Sequence, residues 1–192
     1  TPTTSSAASD VYKRQAKDID PQQRLLLHVS AESVHTSGMS LSKARGSHVA
    51  VFTGICNNDY DAVQRENVMD LCFASRPQAE ILDAVGSIAF STYAFASNRV
   101  SHTLGLVGPS ISLDTASSSG LVATHMATMH VRSSKRVRAL ANGVNLILHA
   151  QLTELHSARD MFPKDGRCKT FDASADGFER SEATVSTCQR SL

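Results

Sequence analysis

The fold of this chain is decided by one stretch, Ser110-Ile111-Ser112-Leu113-Asp114-Thr115-Ala116-Ser117-Ser118-Ser119-Gly120-Leu121-Val122-Ala123. Polar and apolar residues alternate over its first four positions, which predicts a short strand. A run of small residues follows, and the apolar-rich segment 121–131 predicts a largely buried helix. The stretch therefore predicts a strand, a tight corner and a helix, in that order.

The corner contains three consecutive serines, and the local pattern leaves two explanations open for them. Free N–H groups at the start of a helix favour negative charge. A side chain at such a corner is therefore well placed to act as a nucleophile whose anionic intermediate needs stabilising. The simpler explanation is that Ser117, Ser118 and Ser119 only cap the helix, as serines often do.

The amino-acid sequence of the corner favours the nucleophile over the helix cap. Asp114-Thr115-Ala116-Ser117-Ser118-Ser119 resembles the active-site segment of β-ketoacyl synthases, above all the ketosynthase domains of modular type I polyketide synthases, which typically read Asp-Thr-Ala-Cys-Ser-Ser. Only the reacting position differs, because this chain has Ser117 where the family has cysteine. Further segments resemble motifs of the family and occur in the same order along the chain: 20–27, 49–54, 96–101, 105–110, 139–148 and 165–178.

The resemblance implies both a fold and a reaction. The fold is α/β and thiolase-like, with layers in the order α-β-α-β-α, and only part of its N-terminal half is present in this chain. The reaction is an acyl transfer ending in a decarboxylative Claisen condensation: an acyl group is loaded onto the cysteine, and a malonyl group on an acyl-carrier protein loses CO2 and attacks it. Two histidines and a lysine support this chemistry from the C-terminal half of the family's domain. We therefore expect this piece alone to be inactive.

The resemblance assigns Ser117 to the nucleophile position and its backbone N–H to the oxyanion hole. A cysteine thiol has a pKa of about 8.5, and a helix N-terminus lowers it further, so a thiolate is accessible at neutral pH. A serine hydroxyl needs a general base within hydrogen-bond reach. Ser117 should therefore block or greatly slow condensation.

Several explanations for Ser117 stay open at this point. The chain can be a non-condensing ketosynthase-like domain, either a malonyl decarboxylase or a scaffold that binds the acyl-carrier protein. Alternatively, a single-base error has changed a cysteine codon to serine. A serine hydrolase would need a His/Asp pair around Ser117, and the sequence has no Gly-x-Ser-x-Gly elbow.

Composition limits the partners and cofactors. Of the 192 residues, 41% are hydrophobic and 19% charged, which fits a globular protein, and the net charge of +1 favours neither nucleic acid nor an anionic membrane as partner. No apolar run reaches the roughly 18 residues of a transmembrane helix. The four cysteines and eight histidines lack metal-ligand spacing, so we expect no metal and free thiols in a reducing compartment.

The resemblance adds that no cofactor is bound and that substrates arrive on the phosphopantetheine arm of an acyl-carrier protein. It also implies a homodimer in the full-length form. We expect a cytoplasmic location, with an organelle not excluded.

The two ends of the chain differ from its middle. Asp10-Val11-Tyr12-Lys13-Arg14-Gln15 is encoded by GAT-GTG-TAT-AAG-AGA-CAG, which resembles the transposon end sequence used to prepare sequencing libraries. We interpret residues 1–15 as a non-native leader rather than a targeting peptide, because they lack an apolar core and are poor in arginine. Residues 16–192 are then the partial β-ketoacyl synthase N-terminal domain.

The tail departs from the family pattern. Where the family reads Arg-Gly-Glu-Gly and then a Val/Leu strand, this chain has Arg180-Ser181-Glu182-Ala183 followed by the polar segment 184–189. Glycine is used where φ is positive or where backbones approach closely. We therefore expect both exchanges to cost stability if those needs persist. The end has either diverged or acquired sequence errors.

Overall fold

The computed structural model describes residues 19–133 and 137–191, and the interpreted leader at 1–15 lies outside these ranges. Within them, seven α-helices are α1 Pro21–Thr36, α2 Leu41–Ala44, α3 Asp59–Phe73, α4 Gln78–Ser91, α5 Ala96–Leu104, α6 Ser119–Ser133 and α7 Gln151–Ser157. The strands are β1 Val49–Gly54, β2 Ser110–Leu113, β3 Arg138–Asn145 and β4 Ala183–Arg190, and a 3₁₀ turn spans Tyr93–Phe95. None of the helices in the described ranges is long and apolar enough to cross a membrane.

The four strands form one mixed sheet in the order β2-β1-β3-β4. β1 pairs in parallel with both β2 and β3, so that Thr53 lies opposite Ser112 on one side and Asn142 on the other. β4 runs antiparallel to β3. The carboxyl ends of β1, β2 and β3 therefore meet at one edge of the sheet, where α/β proteins commonly bind ligands.

One face of the sheet, here called the α1–α5 face, is packed with branched side chains. Val49, Val51 and Leu140 point from the strands towards Leu26 of α1 and Val100 of α5, and all five are at most 2% exposed. α1 begins as the sequence predicts, with Pro21 in the first turn and the Asp20 carboxylate accepting a hydrogen bond from the N–H of Gln22 (2.8 Å). This face holds most of the large apolar core.

The opposite face, here called the α6 face, is packed with small side chains. Its core consists of Ala50, Phe52, Ala123, Ala127, Val131, Ala139 and Ala141. The prediction that the helix after the corner is largely buried was wrong, because Leu121 is 74% exposed and Met129 is 51% exposed. α6 buries only the alanine-rich stripe that faces the sheet, and its other side is open in the described part of the chain.

The tail forms a regular strand despite its polar composition. All eight residues of β4 pair with β3, from Ala183 opposite Asn145 to Arg190 opposite Arg138. Neither Ser181 nor Ala183 has a positive φ. The cost expected from a positive φ therefore does not arise at these two positions, since they adopt conformations open to any L-residue.

Candidate active site

The corner between β2 and α6 is held by hydrogen bonds among its own residues. Ala116 has a φ of 55°, which is unusual for a residue other than glycine. An Asp114 carboxylate oxygen accepts from the Ala116 N–H at 2.8 Å. The Ser119 hydroxyl accepts from the Thr115 N–H (2.9 Å) and donates to the Ala116 carbonyl (2.6 Å), while the Ser118 hydroxyl donates to the Thr115 carbonyl (2.7 Å). The strained residue just before position 117 is thus fixed on both sides.

Ser117 is the corner residue that these hydrogen bonds leave free. It is exposed, and neither its hydroxyl nor its N–H forms a hydrogen bond anywhere in the part of the chain that is described. None of the hydroxyls of Ser117, Ser118 and Ser119 accepts from the first turn of α6 within residues 19–133 and 137–191. The capping explanation is therefore wrong. The serines build the corner and leave one N–H and one hydroxyl available.

Ser117 lies at the wall of a cavity of about 860 Å³. The cavity is at the carboxyl ends of β1 and β3, and its lining includes Gly54, Cys56, Gly120 and Val185. Its volume is within the roughly 300–1,000 Å³ typical of small-molecule sites. The position that the sequence assigned to the nucleophile therefore faces a space large enough for a substrate.

Glycines bring the start of α6 onto the strand ends. A Cβ at Gly54 would lie 2.4 Å from the backbone carbonyl carbon of Ser119 and 2.7 Å from the backbone nitrogen of Gly120. A Cβ at Gly143 would lie 3.6 Å from the Gly120 Cα. Gly54 therefore cannot carry a side chain without moving backbone, and it is the residue that sets the approach of α6 to the sheet.

A second set of contacts fixes the loop that follows β3. Its N–H groups at 146, 147 and 148 donate to side chains from three separate segments: Gln22 (3.1 Å), Glu182 (2.8 Å) and Asp59 (3.2 Å). The Arg180 guanidinium lies 3.6 Å from the same Asp59 carboxylate, and the two side chains are 8% and 3% exposed. The segment before β4, which lines the cavity, is thereby tied to α3 and to the β3 loop, and that loop is in turn tied to α1.

Cys56 is a cavity residue that the sequence did not single out. Burial raises the pKa of its thiol, and the nearby Asp114 carboxylate raises it further, while Arg180 acts in the opposite direction. A thiol with a raised pKa is a poor nucleophile at neutral pH. All four cysteines are free, as the sequence predicted.

The histidines near the corner do not form a catalytic pair with Ser117. His125 is exposed, and His130 packs its ring 6.0 Å from that of Phe52. His156 lines the cavity, but its ring forms no hydrogen bond in the described ranges, and one of the ring nitrogens, Nδ1, is buried. The sequence missed His156 and Arg180 as cavity residues, because nothing near them in the chain marks the cavity that they line.

The comparisons with known proteins agree on one family. The family described as Beta-ketoacyl synthase, N-terminal domain, matches residues 4–188. Lovastatin nonaketide synthase mokA of Monascus pilosus is 38% identical over 183 residues, which are 95% of this chain and 6% of that protein. This chain therefore spans a small part of such relatives.

Solved structures give the same answer for the fold. The ketosynthase from module 6 of the bacillaene synthase of Bacillus subtilis 168 superposes with a TM-score of 0.72 and 27% identity over 91% of this chain and 27% of that chain. The oxazolomycin ketosynthase domain OzmH KS7 of Streptomyces albus JA3453 gives 0.73 and 28%, over 91% of this chain and 29% of that chain. The thiolase-like α/β class and the partial coverage expected from the sequence are confirmed.

Proposed function

The chain belongs to the β-ketoacyl synthase N-terminal domain family, and from this premise we propose that it is the part of a polyketide ketosynthase that carries the acyl-accepting position and one side of the acyl cavity. The observation that carries the proposal is Ser117, exposed on a fixed corner at the cavity wall with its hydroxyl and N–H free. The relatives are synthases, which favours the condensing enzyme over a non-condensing domain.

In the complete enzyme we propose an acyltransferase reaction in two steps. The acyl group moves from a carrier thioester to the side chain at position 117, and the carrier thiol leaves with a proton. A malonyl carrier then loses CO2, and the freed electron pair attacks the acyl carbonyl, which releases the side chain at 117 and forms the new carbon–carbon bond. The free N–H of residue 117, at the start of α6, donates to the oxyanion in both steps.

Ser117 limits what this particular chain can do. Its hydroxyl has no base within hydrogen-bond distance among the described residues, so its proton has no acceptor. The same observation argues against a serine hydrolase, which needs a histidine and an acid in line with the serine. We propose that the chain alone forms no ketone product, and that replacing Ser117 by cysteine restores the acyl-transfer step.

The partners that we propose follow from this assignment. Substrates arrive on the phosphopantetheine arm of an acyl-carrier protein, and no cofactor or metal is held by the chain itself. A homodimer of the full-length form is supported by β2, which is an edge strand of the sheet and exposes Ile111. We propose a cytoplasmic enzyme.

The test is acylation of a thiol placed at position 117. Ser117→Cys is incubated with the N-acetylcysteamine thioester of acetate, and the acylated residue is located by peptide mass spectrometry. We expect one acyl group at position 117 and none on the unsubstituted chain at this position. Ser118→Cys is the matched control, since Ser118 is the next residue but does not line the cavity, and we expect at least tenfold slower acylation there. Equal rates at the two positions, or no acylation at 117, would overturn the proposed function.

A further inference from the structure

A row of polar side chains crosses the sheet on its otherwise apolar α1–α5 face. Its four members lie opposite one another in neighbouring strands and are here called the polar row: Ser112, Thr53, Asn142 and Ser186. Side chains alternate between the two faces along a strand. Val51, Leu140 and Cys188, each two residues from a member of the row, pack in the core of the α1–α5 face, so the row lies on this face as well. One polar layer therefore interrupts the large apolar core.

Hydrogen bonds pair the β2 end of the polar row but not its β4 end. The Ser112 hydroxyl accepts from the Ser97 N–H of α5 at 3.0 Å, and the Asn142 side-chain amide donates to the Thr53 hydroxyl at 3.4 Å. The side-chain oxygen of Asn142, Oδ1, and the Ser186 hydroxyl are both buried and have no hydrogen-bond partner in the described ranges. Such atoms are rare in folded proteins, because burial removes their hydrogen bonds to water.

α1 adds a third unpaired atom. Ser30 is 0% exposed, and its hydroxyl also has no partner within residues 19–133 and 137–191. Residues four apart on a helix lie on the same side. Leu26 and Val34, four positions before and after Ser30, belong to the core of the α1–α5 face. Ser30 therefore lies on the side of α1 that faces the sheet.

Hydrogen bonds at both ends of α1 fix where Ser30 meets the sheet. Near the start of the helix, the Gln22 side-chain oxygen accepts from the Leu146 N–H (3.1 Å), and just after its end the Ser37 hydroxyl accepts from the Arg138 guanidinium (2.9 Å). α1 therefore runs antiparallel to β3, and it packs against both β3 and β4. Ser30 is midway between the two helix anchors, and the polar row crosses β3 midway between the two strand anchors. Ser30 is thereby placed over the unpaired end of the row.

We propose that the Ser30 hydroxyl, the Asn142 Oδ1 and the Ser186 hydroxyl together bind one internal water molecule. The water accepts from the two hydroxyls and donates to the amide oxygen, which gives it about the three protein partners that buried waters typically have. It joins α1, β3 and β4 in the middle of the α1–α5 face. Such a site goes beyond the reaction proposed at position 117 and does not depend on it.

A crystal structure of the unsubstituted chain tests the site directly. We expect one ordered water within about 3.2 Å of each of the three oxygens. The result that would overturn the site is a Ser186 hydroxyl that donates directly to the Asn142 oxygen, with no water between them.

Urea unfolding tests the same site in solution. Ser186→Ala removes one of the three partners of the water, and we expect the unfolding midpoint to fall by roughly 0.5 M. Ser30→Ala removes another partner of the same water. The fall caused by Ser186→Ala should therefore be at most about half as large in the Ser30→Ala background. The four proteins form a closed cycle, so the higher helix propensity of alanine at position 30 cancels.

Thr184→Val is the matched control. The Thr184 hydroxyl is likewise buried and unpaired in the described part of the chain, but the residue opposite it in β3 is the apolar Val144. We expect Thr184→Val to raise the midpoint, and to raise it equally with and without Ser30→Ala.

The urea cycle decides the question even where no crystals form. A midpoint that rises in Ser186→Ala as it does in Thr184→Val would overturn the water site. An effect of Ser186→Ala that is unchanged by Ser30→Ala would overturn it too. Neither result would alter the acylation expected at position 117, so the water site and the proposed function fail separately.

Discussion

The two faces of the sheet are packed with side chains of different size. The α1–α5 face buries Leu26, Val49, Val51 and Leu140, whose removal from water contributes about 1.5–3 kcal/mol for each side chain. The α6 face buries mostly alanine and meets the helix start through Gly54. Small residues contribute less burial energy, but they let the backbone of α6 approach the strands closely.

We infer that the α1–α5 face contributes most of the stability, whereas the α6 face determines the geometry of the site. Ser117 reaches the cavity because α6 begins directly on the strand ends, and this close approach requires that Gly54 carries no side chain. The α1–α5 face has no such requirement and is packed with large branched side chains. Substitutions on the two faces should therefore separate loss of stability from loss of the site.

The largest expected effect is on the α1–α5 face. Leu26→Ala removes a side chain that is 0% exposed, and we expect the free energy of unfolding to fall by about 3–5 kcal/mol, because the cavity left behind adds to the lost burial. Urea unfolding measures this. In the Ser117→Cys background, alkylation of the thiol at 117 by iodoacetamide under folding conditions should keep its rate. A loss below about 1 kcal/mol, or a changed rate in the folded protein, would contradict the division between the faces.

A smaller loss of stability but a larger effect on the site is expected at Gly54. In Gly54→Ala the new Cβ meets backbone atoms of Ser119 and Gly120, so α6 must shift. We expect a loss of about 1–3 kcal/mol in unfolding free energy. Acylation at position 117 by the acetyl thioester should fall at least tenfold, because the corner moves with the helix.

The control for Gly54 is a glycine without neighbours. Gly86 lies in α4, and a Cβ there would meet nothing within 4 Å. Gly86→Ala should stabilise the helix by about 0.5–1 kcal/mol and leave acylation at 117 unchanged. If both glycine substitutions shift stability in the same direction, close approach at Gly54 is not what positions the corner.

The strand, corner and helix around Ser117 could be predicted because their signals are adjacent in the sequence. Alternation, small residues and an apolar run each act over a few positions. The buried side of α6 could not be predicted as well, because residues 121–131 are apolar on both sides and only packing decides which side is covered. The alanines Ala123 and Ala127 face the sheet, while the larger Leu121 is exposed.

The part of the cavity lining that comes from residues 156–178 could not be predicted from the sequence at all. His156, Met161 and Phe178 meet through backbone hydrogen bonds and ring contacts, and no short-range pattern encodes such a meeting. The role of Ser118 and Ser119 was missed for a related reason. Their hydroxyls bond to the preceding turn rather than to the helix, and residue type alone does not distinguish the two.

The smallest expected effect is a gain on the α1–α5 face. Thr184 of β4 lies opposite Val144 on this face, and its hydroxyl oxygen is buried with no partner in the described ranges. An unpaired buried hydroxyl costs stability, and valine has nearly the same shape without it. Thr184→Val should therefore raise the unfolding free energy by about 1 kcal/mol in urea unfolding. Thr187→Val is the control, because Thr187 is exposed on the opposite side of the same strand and its hydroxyl donates only at 3.5 Å to the Ala141 carbonyl. A contact that long is weak, so we expect stability to change by less than about 0.5 kcal/mol. A loss at Thr184 would mean that its hydroxyl is paired, and that the polar composition of β4 contributes to the face rather than weakening it.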